Sequence, residues 1–259
     1  MLKINGKTFE YKKFPDGTPM LRLSCTSVIA DIEWIYESNE ELTLLWFIVK
    51  HMRSKGVKSI TLHVPYLPNA RMDRIKEADE VFTLKYFCEL INAMKFDTVY
   101  VRDVHSDVSL ALLDNVRSDD IAPRLHRLEE KLLSGDDIVF FPDEGASKRY
   151  KGMINRRYAF GIKRRDWRTG KIQGLDIAGD IPEKSFNALI IDDISSYGGT
   201  FLHSAKKLKE CGAEKIWLYV THCEESILNG ELIKSGLLEK IYTTDSIFRA
   251  SHELIEILD

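Results

Sequence analysis

The hydrophobic and polar positions of this chain follow two periods in turn. In "SNEELTLLWFIVKHMRSKG", Leu42, Leu45, Trp46, Val49 and Met52 fall on one stripe, which predicts an amphipathic helix. Ser38 and Glu41 stand at capping-box spacing ahead of it, and Gly56 offers a stop. "VKSITLHVPY" then reads as a strand, "EVFTLKYFCELINAMK" as a helix with Leu84, Phe87, Cys88 and Ile91 aligned, and "TVYVRDVH" as the next strand. The rhythm returns with strand "DIVFFPDEG", a helix near "SKRYKGMIN", strand "NALIIDD", helix "TFLHSAKKLKECG" and strand "KIWLYVTH". Strands alternating with helices predict an α/β fold whose parallel sheets are covered on both faces. Sheets of this kind bind ligands beyond the carboxyl ends of their strands. Four of those ends carry the most chemically loaded stretches: "PYLPNARMDR", "RDVHSD", "PDEGASKR" and "DDISSYGGT".

In "DDISSYGGT" the glycines let backbone amides approach an anion, and Ser195, Ser196 and Thr200 add hydroxyls just before a helix N-terminus. Asp192 and Asp193 offer acceptor oxygens suited to vicinal hydroxyls. A phosphate and a sugar diol together describe a ribose 5-phosphate group, although a plain strand, turn and helix would also account for the glycines. In "RDVHSD", Asp103 and His105 are two apart and share a face if the strand continues, an arrangement able to hold Mg²⁺ or touch a nucleotide if Asp143 converges on it. "NARMDR" supplies Arg71 and Arg74, for which a solvated charged face is the bland reading. "IKRRDWRTGK" sets Lys163, Arg164, Arg165, Arg168 and Lys171 among few apolar anchors. It reads as a flexible basic loop able to close over a polyphosphate.

Composition narrows the classes. The chain has 259 residues, 44% hydrophobic and 30% charged, with a net charge of −3, so no global charge draws it to nucleic acid or an anionic membrane. A nucleic-acid patch at the basic run is disfavoured, because only Trp167 is interleaved there. The four cysteines lack metal-ligand spacing, and Cys88 and Cys211 read as small buried side chains. Neither a leader-like apolar segment nor a membrane-length run is present, so a cytoplasmic setting is expected.

Taken together, eight collinear segments resemble the ribose-phosphate pyrophosphokinase family. "FPDG" is similar to its F-S-D-G-E, "NARMDR" to Y-A-R-Q-D-R, and "RDVHSDVSLALLDNV" to the D-L-H-A stretch that ends in F-F-D. "PDEGASKR" resembles P-D-x-G-x-x-x-R, "KRR" the catalytic loop, and "IDDISSYGGT" V-D-D-x-x-D-T-G-G-T. "YVTHCEES" and "TTDSI" resemble A-T-H-G-x-x-S and T-D-T-I.

The resemblance implies two similar phosphoribosyltransferase-type domains, at residues 1–120 and 121–259, with mainly parallel sheets and with ATP and Mg²⁺ bound between them. It implies that the diphosphoryl group of ATP passes intact to an anomeric hydroxyl, leaving AMP. On matching residues, Arg71 and His105 would contact the ATP phosphates. Asp143 would serve the metal, with His105 and, less firmly, Asp103. Lys163 and Arg165 would neutralise the transition state. Asp192 and Asp193 would hold the ribose hydroxyls, and Ser195, Ser196, Tyr197, Gly198, Gly199 and Thr200 the 5-phosphate. Phe14 and Asp16 would reach the adenine of a neighbouring subunit, which implies a homo-oligomer.

Three departures stand out. Thr18 replaces a glutamate, Met72 a glutamine, and Ser196-Tyr197 the usual Asp-Thr. Both ends look short beside the family's, so its usual hexamer and allosteric phosphate or ADP site are not carried over. Tyr197 either packs against the sheet or meets a ligand. In the second case ADP-ribose is the alternative acceptor to ribose 5-phosphate, giving ADP-ribose 1-pyrophosphate for NAD synthesis. A phosphoribosyltransferase and a non-catalytic regulatory relative are more distant alternatives.

Overall fold

The computed structural model describes residues 1–165 and 172–258, apart from the side chains of 163–165 and 172–173. The chain divides into two compact units, Met1–Asp119 and Asp120–Asp259.

The N-terminal unit opens with β1 (Leu2–Ile4) and β2 (Lys7–Thr8), then a separate hairpin of β3 (Lys12–Lys13) and β4 (Pro19–Met20). β5 (Ile29–Trp34), α1 (Glu40–Ser54), β6 (Ser59–Val64), α2 (Thr83–Ala93), β7 (Thr98–Arg102), α3 (Val108–Leu112) and β8 (Val116–Asp119) follow. The sheet order is β2-β1-β5-β6-β7-β8, parallel from β5 to β8. α2 buries Leu84, Phe87, Cys88 and Ile91, the four residues its periodicity aligned. α1 buries Leu44, Leu45, Ile48, Val49 and Met52, while Leu42 and Trp46 sit half-buried at the margin. Its predicted capping box forms only in part. The Glu41 carboxylate reaches back to the Glu37 amide (2.9 Å) and the Trp34 indole (2.9 Å), but no side chain caps the helix at Asn39. Gly56 does end it, with φ +87° and its amide on the Arg53 carbonyl (3.1 Å).

Burial alternates along β5, β6 and β7. Ala30, Ile32, Trp34, Ile60, Leu62, Val64, Val99 and Val101 face α1 and α2 in one core, at about 1.5–3 kcal/mol for each large side chain fully buried. The other face bears Asp31, Glu33, His63, Tyr100 and Arg102 and is not covered, contrary to the sequence-based expectation. The reason is topological. Strands that follow one another in chain order through right-handed crossovers place every connecting helix on the same side.

The C-terminal unit contains α4 (Ala122–Leu132), β9 (Ile138–Phe141), α5 (Glu144–Tyr150), β10 (Tyr158–Arg165), β11 (Ile172–Gly179) and β12 (Phe186–Ser195). It continues through α6 (Gly199–Glu210), β13 (Ala213–Cys223), α7 (Glu231–Lys234), β14 (Lys240–Thr244) and β15 (Ile255–Leu258). The order is β11-β10-β9-β12-β13-β14-β15, with only the β10–β11 pair antiparallel. This sheet is covered on both faces. Ile138, Phe140, Ile190 and Leu218 cluster with Phe201, Ala205 and Leu208 of α6. Val139, Phe141, Leu189, Ile191 and Tyr219 cluster with Leu125 and Leu128 of α4 and Ala146 and Tyr150 of α5. Strands buried on both sides read as continuous apolar runs, as "IVFF" and "LII" do. Among the described residues no helix is long and apolar enough to cross a membrane.

Candidate active site

β12 runs through the middle of its sheet and ends at Ser195, after which Ser196, Tyr197 and Gly198 turn the chain into α6. Gly198 takes φ +80° as the residue before the helix, so the turn needs a glycine there. Gly199 is exposed and Thr200 half-buried, placing the first free amides of a 12-residue helix beside hydroxyls, an anion-binding arrangement. Ser195 is buried and directs its hydroxyl at the Ser196 carbonyl (3.4 Å), so it supports the loop from beneath. The Glu224 amide donates to the Ser195 carbonyl (2.8 Å), tying the loop to the end of β13. Tyr197 is 64% exposed. It does not pack against the sheet, because the turn at Gly198 carries it to the tip of the loop.

The two aspartates precede this loop. Asp193 is buried and ion-paired with Arg149 of α5 (Nη1 to Oδ2, 3.4 Å). Asp192 is half-buried, and its Oδ1 accepts the Asp193 amide (2.9 Å). Burial pushes the Asp192 carboxyl well above the usual carboxylate range, and the neighbouring charges of Asp193 and then Asp143 push it further. Asp143 caps α5, its Oδ1 accepting the Ala146 amide (3.1 Å). Asp143, Arg149, Asp192 and Asp193 therefore form one charged cluster at the carboxyl ends of β9 and β12. The cluster's cation, Arg149, was not singled out in the sequence. Its signal was the final arginine of "PDEGASKR".

Lys163, Arg164 and Arg165 fall differently from the sequence-based expectation. Their backbone belongs to β10 and pairs with β11, Lys163 opposite Leu175 and Arg165 opposite Ile172, with a bulge between Arg164 and Arg165. They stand on a paired strand and not in a loop; their side chains, and Trp167, Arg168 and Lys171, lie outside the described residues.

In the N-terminal unit, β7 ends at Arg102 and Asp103 adopts φ +40°, so strand alternation does not relate Asp103 to His105. Asp103 is buried and His105 half-buried. Asp73 connects this loop to "NARMDR". Two hydrogen bonds from Arg74 (2.8 and 2.9 Å) lower its pKa to about 2 against burial, helped by the Ser106 hydroxyl and the charges of Arg74 and His105. Arg74 is thus a structural partner, and Arg71 is exposed. Phe14 is 46% exposed at the tip of the β3–β4 hairpin. Asp16 accepts from the Thr18 hydroxyl (2.7 Å) and amide (2.9 Å), which hold its carboxyl below the usual range. Among the described residues no three His, Cys, Asp or Glu side chains are grouped to hold a metal ion.

No protein-family model matches the chain. A ribose-phosphate pyrophosphokinase from Thermosipho africanus is 30% identical over 216 residues, covering 81% of this chain and 67% of the relative. The chain belongs to the ribose-phosphate pyrophosphokinase family. The enzyme of that name from Pyrococcus furiosus is 28% identical over 221 residues, covering 82% of this chain and 77% of its own. The crystal structure of phosphoribosylpyrophosphate synthetase from Mycobacterium smegmatis superposes with a TM-score of 0.80 at 20% identity, over 97% of this chain and 85% of that one. That likeness gives the fold: two phosphoribosyltransferase-type α/β units with mostly parallel sheets.

Proposed function

We propose that this protein transfers the β,γ-diphosphoryl group of ATP to the anomeric hydroxyl of ribose 5-phosphate. The anomeric oxygen attacks the β-phosphorus, the bond from that phosphorus to the α,β-bridging oxygen breaks, AMP departs, and the hydroxyl proton passes to solvent. The observation that carries the reading is the phosphate-type loop of residues 195–200 following a carboxylate pair, in a chain of this family.

In this reading the amides of Gly198 to Thr200 and the hydroxyls of Ser196 and Thr200 hold the 5-phosphate, with Ser195 beneath. Asp193, ion-paired with Arg149, and Asp192 accept from the two ribose hydroxyls. Arg71 and His105 contact the ATP phosphates, and Lys163 and Arg165 neutralise charge growing around the β-phosphorus. Phe14 and Asp16, on an exposed hairpin tip, reach the adenine bound by a neighbouring subunit of a homo-oligomer. Asp143 in one unit, and His105 with Asp103 in the other, are the candidate magnesium ligands. The hard carboxylate oxygens of Asp143, one already held by the helix amide, fit a cation that keeps most of its waters. Bound Mg²⁺ would supply neutralisation of the phosphate oxygens. No general base is assigned among the described residues, and the reading rests on positioning and electrostatics.

A second reading keeps the chemistry and enlarges the acceptor to ADP-ribose. The exposure of Tyr197 favours it, since an aromatic ring at the loop tip can stack on an adenylyl extension. One paired assay tests both. Protein, ATP and Mg²⁺ receive ribose 5-phosphate in one tube and ADP-ribose in the other, and products are identified by mass. AMP with phosphoribosyl pyrophosphate in the first tube is the expected result. AMP only in the second would move the conclusion to ADP-ribose, and AMP in neither would overturn both readings.

A further inference from the structure

Between β4 and β5 the chain runs through residues 21–28 without joining any sheet. Leu21, Leu23 and Cys25 are half-buried against the core of the N-terminal unit, while Arg22, Ser24 and Thr26 face outward, the alternation of an extended chain. Among the described residues, no backbone group from Arg22 to Ser27 joins a backbone–backbone hydrogen bond. One side chain supplies what a neighbouring strand would. His51 of α1 bonds the Leu23 carbonyl oxygen through Nε2 at 3.0 Å. A carbonyl oxygen only accepts, so Nε2 carries the proton and donates. Near the other end of α1, Lys13 of β3 lies 3.6 Å from Glu40, but both are exposed, and such a pair holds little.

The tie at Leu23 matters because a strap of alternating apolar residues without a ladder has a weakly specified register. A slip of two residues returns an apolar side chain to an inward position and shifts the chain by about 6.8 Å. Packing of Leu21, Leu23 and Cys25 therefore selects a face, and the hydrogen bond from His51 selects a register. Directly upstream of the strap stands the β3–β4 hairpin with Phe14 at its tip and Asp16 in its turn. Its other foot is Phe9, half-buried against the same core, with its amide on the Leu2 carbonyl (2.8 Å). The two feet set where the tip stands. We propose that His51 is a positioning residue for recognition of the nucleotide base. By fixing the register of the strap on α1 it places Phe14 and Asp16, and this role rests on the reading of those two residues as the adenine contact.

The test uses the full chain. His51→Leu keeps an apolar body without the donor, His51→Ala removes both, and His51→Gln keeps an N–H at similar reach. Trypsin reads the strap independently of activity, because Arg22 is exposed within it. Cleavage after Arg22 should quicken by about three- to tenfold in the leucine and alanine variants, as loss of one hydrogen bond allows, and return close to wild type with glutamine. In turnover assays the KM for ATP should rise by about the same factor, with kcat and the acceptor's KM within about twofold of wild type. Faster cleavage with an unchanged KM for ATP would confine His51 to stability and overturn the proposal. So would unchanged cleavage after Arg22, or His51→Gln behaving like His51→Leu. Phe14→Ala, measured alongside, separates this proposal from the reading beneath it. If Phe14→Ala raises the KM for ATP and the His51 variants do not, the positioning role falls and the adenine contact stands. If none of them changes it, both fall.

Discussion

Gly230 offers the sharpest mutational probe of the acceptor loop. It precedes α7 with φ −81° and ψ 159°, a conformation open to any residue, so replacing it introduces no backbone strain. The obstacle is steric. A Cβ built there would lie far inside the 3.0 Å that real Cβ atoms keep from the Tyr197 carbonyl oxygen, 2.9 Å from its carbonyl carbon and 3.2 Å from the Ile227 oxygen. Relieving the contact requires a separation of about 1 Å between the 225–234 segment and the loop backbone. Overpacking of this size costs about 1–3 kcal/mol, which corresponds to a fall in melting temperature of roughly 5 °C. A displacement of about 1 Å in a positioning element can lower rate by about a hundredfold, or ~2.7 kcal/mol of transition-state stabilisation. For Gly230→Ala the expected result is a rise of ten- to a hundredfold (~) in the acceptor's KM, with the KM for ATP changing less than about threefold. Gly152→Ala is the control, because a Cβ there meets nothing within 4 Å. A lower melting temperature with an unchanged acceptor KM would mean that the 225–234 segment moves and the loop does not. That outcome would refute the idea that this segment sets the loop's position.

Three further outcomes are expected. Lys163→Ala and Arg165→Ala should each lower kcat by about a hundredfold or more with melting unchanged, if these residues neutralise transferring phosphate; a near-normal rate in single-turnover kinetics removes the role. Asp193→Asn and Arg149→Met should both raise the acceptor's KM far more than that of ATP, since the arginine acts through the aspartate's orientation and charge. Equal effects on both substrates would separate Arg149 from the diol site, and substantial rescue by Arg149→Lys would show that charge matters more than the guanidinium fork. Asp73 has a folded pKa of about 2, below the usual 3.8. A depressed carboxyl contributes stability above the unfolded value and loses it as pH falls from about 4 toward 2. Urea midpoints of Asp73→Asn should therefore lack part of the wild-type decline in that window. Arg74 is two-thirds exposed, so the difference should shrink in salt.

The alternating strands and helices of both units were legible because burial imposes them. The four aligned residues of α2 are the four it buries, and the carboxylate pair and glycine turn stand where β12 meets α6. β10 and β11 were not read as strands. "IKRR" carries three consecutive basic residues, and its pairing with "IQGL" comes from an antiparallel partner that only tertiary structure supplies. Asp103 was misread for a related reason. One positive-φ residue ends the period of two, and nothing in "RDVHSD" marks it, since the residue is an aspartate and not a glycine. Arg149 was marked only as the final arginine of "PDEGASKR", and Gly230 by nothing, because each acts on a neighbour far away in sequence, Asp193 or Tyr197.

Strand order decides more about this protein than strand pattern does. The two units share the same alternation, yet β9 lies within its sheet, with β12 through β15 on one side and β10 and β11 on the other. Reversing direction across a sheet sends the helices to both faces, as with α4 and α5 on one side of this sheet and α6 on the other. The N-terminal strands advance in one direction only, so one face of that sheet is left bearing a row of charges and a stacked His–Tyr pair. No hydropathy reading separates these cases, because alternation of apolar and polar residues along β5 to β7 fits both a solvent face and a polar interface. On this face Lys3 pairs with Glu33 across β1 and β5 and Arg102 with Asp119 across β7 and β8, so strand order, by bringing these side chains together, decides which charges are neutralised within the sheet.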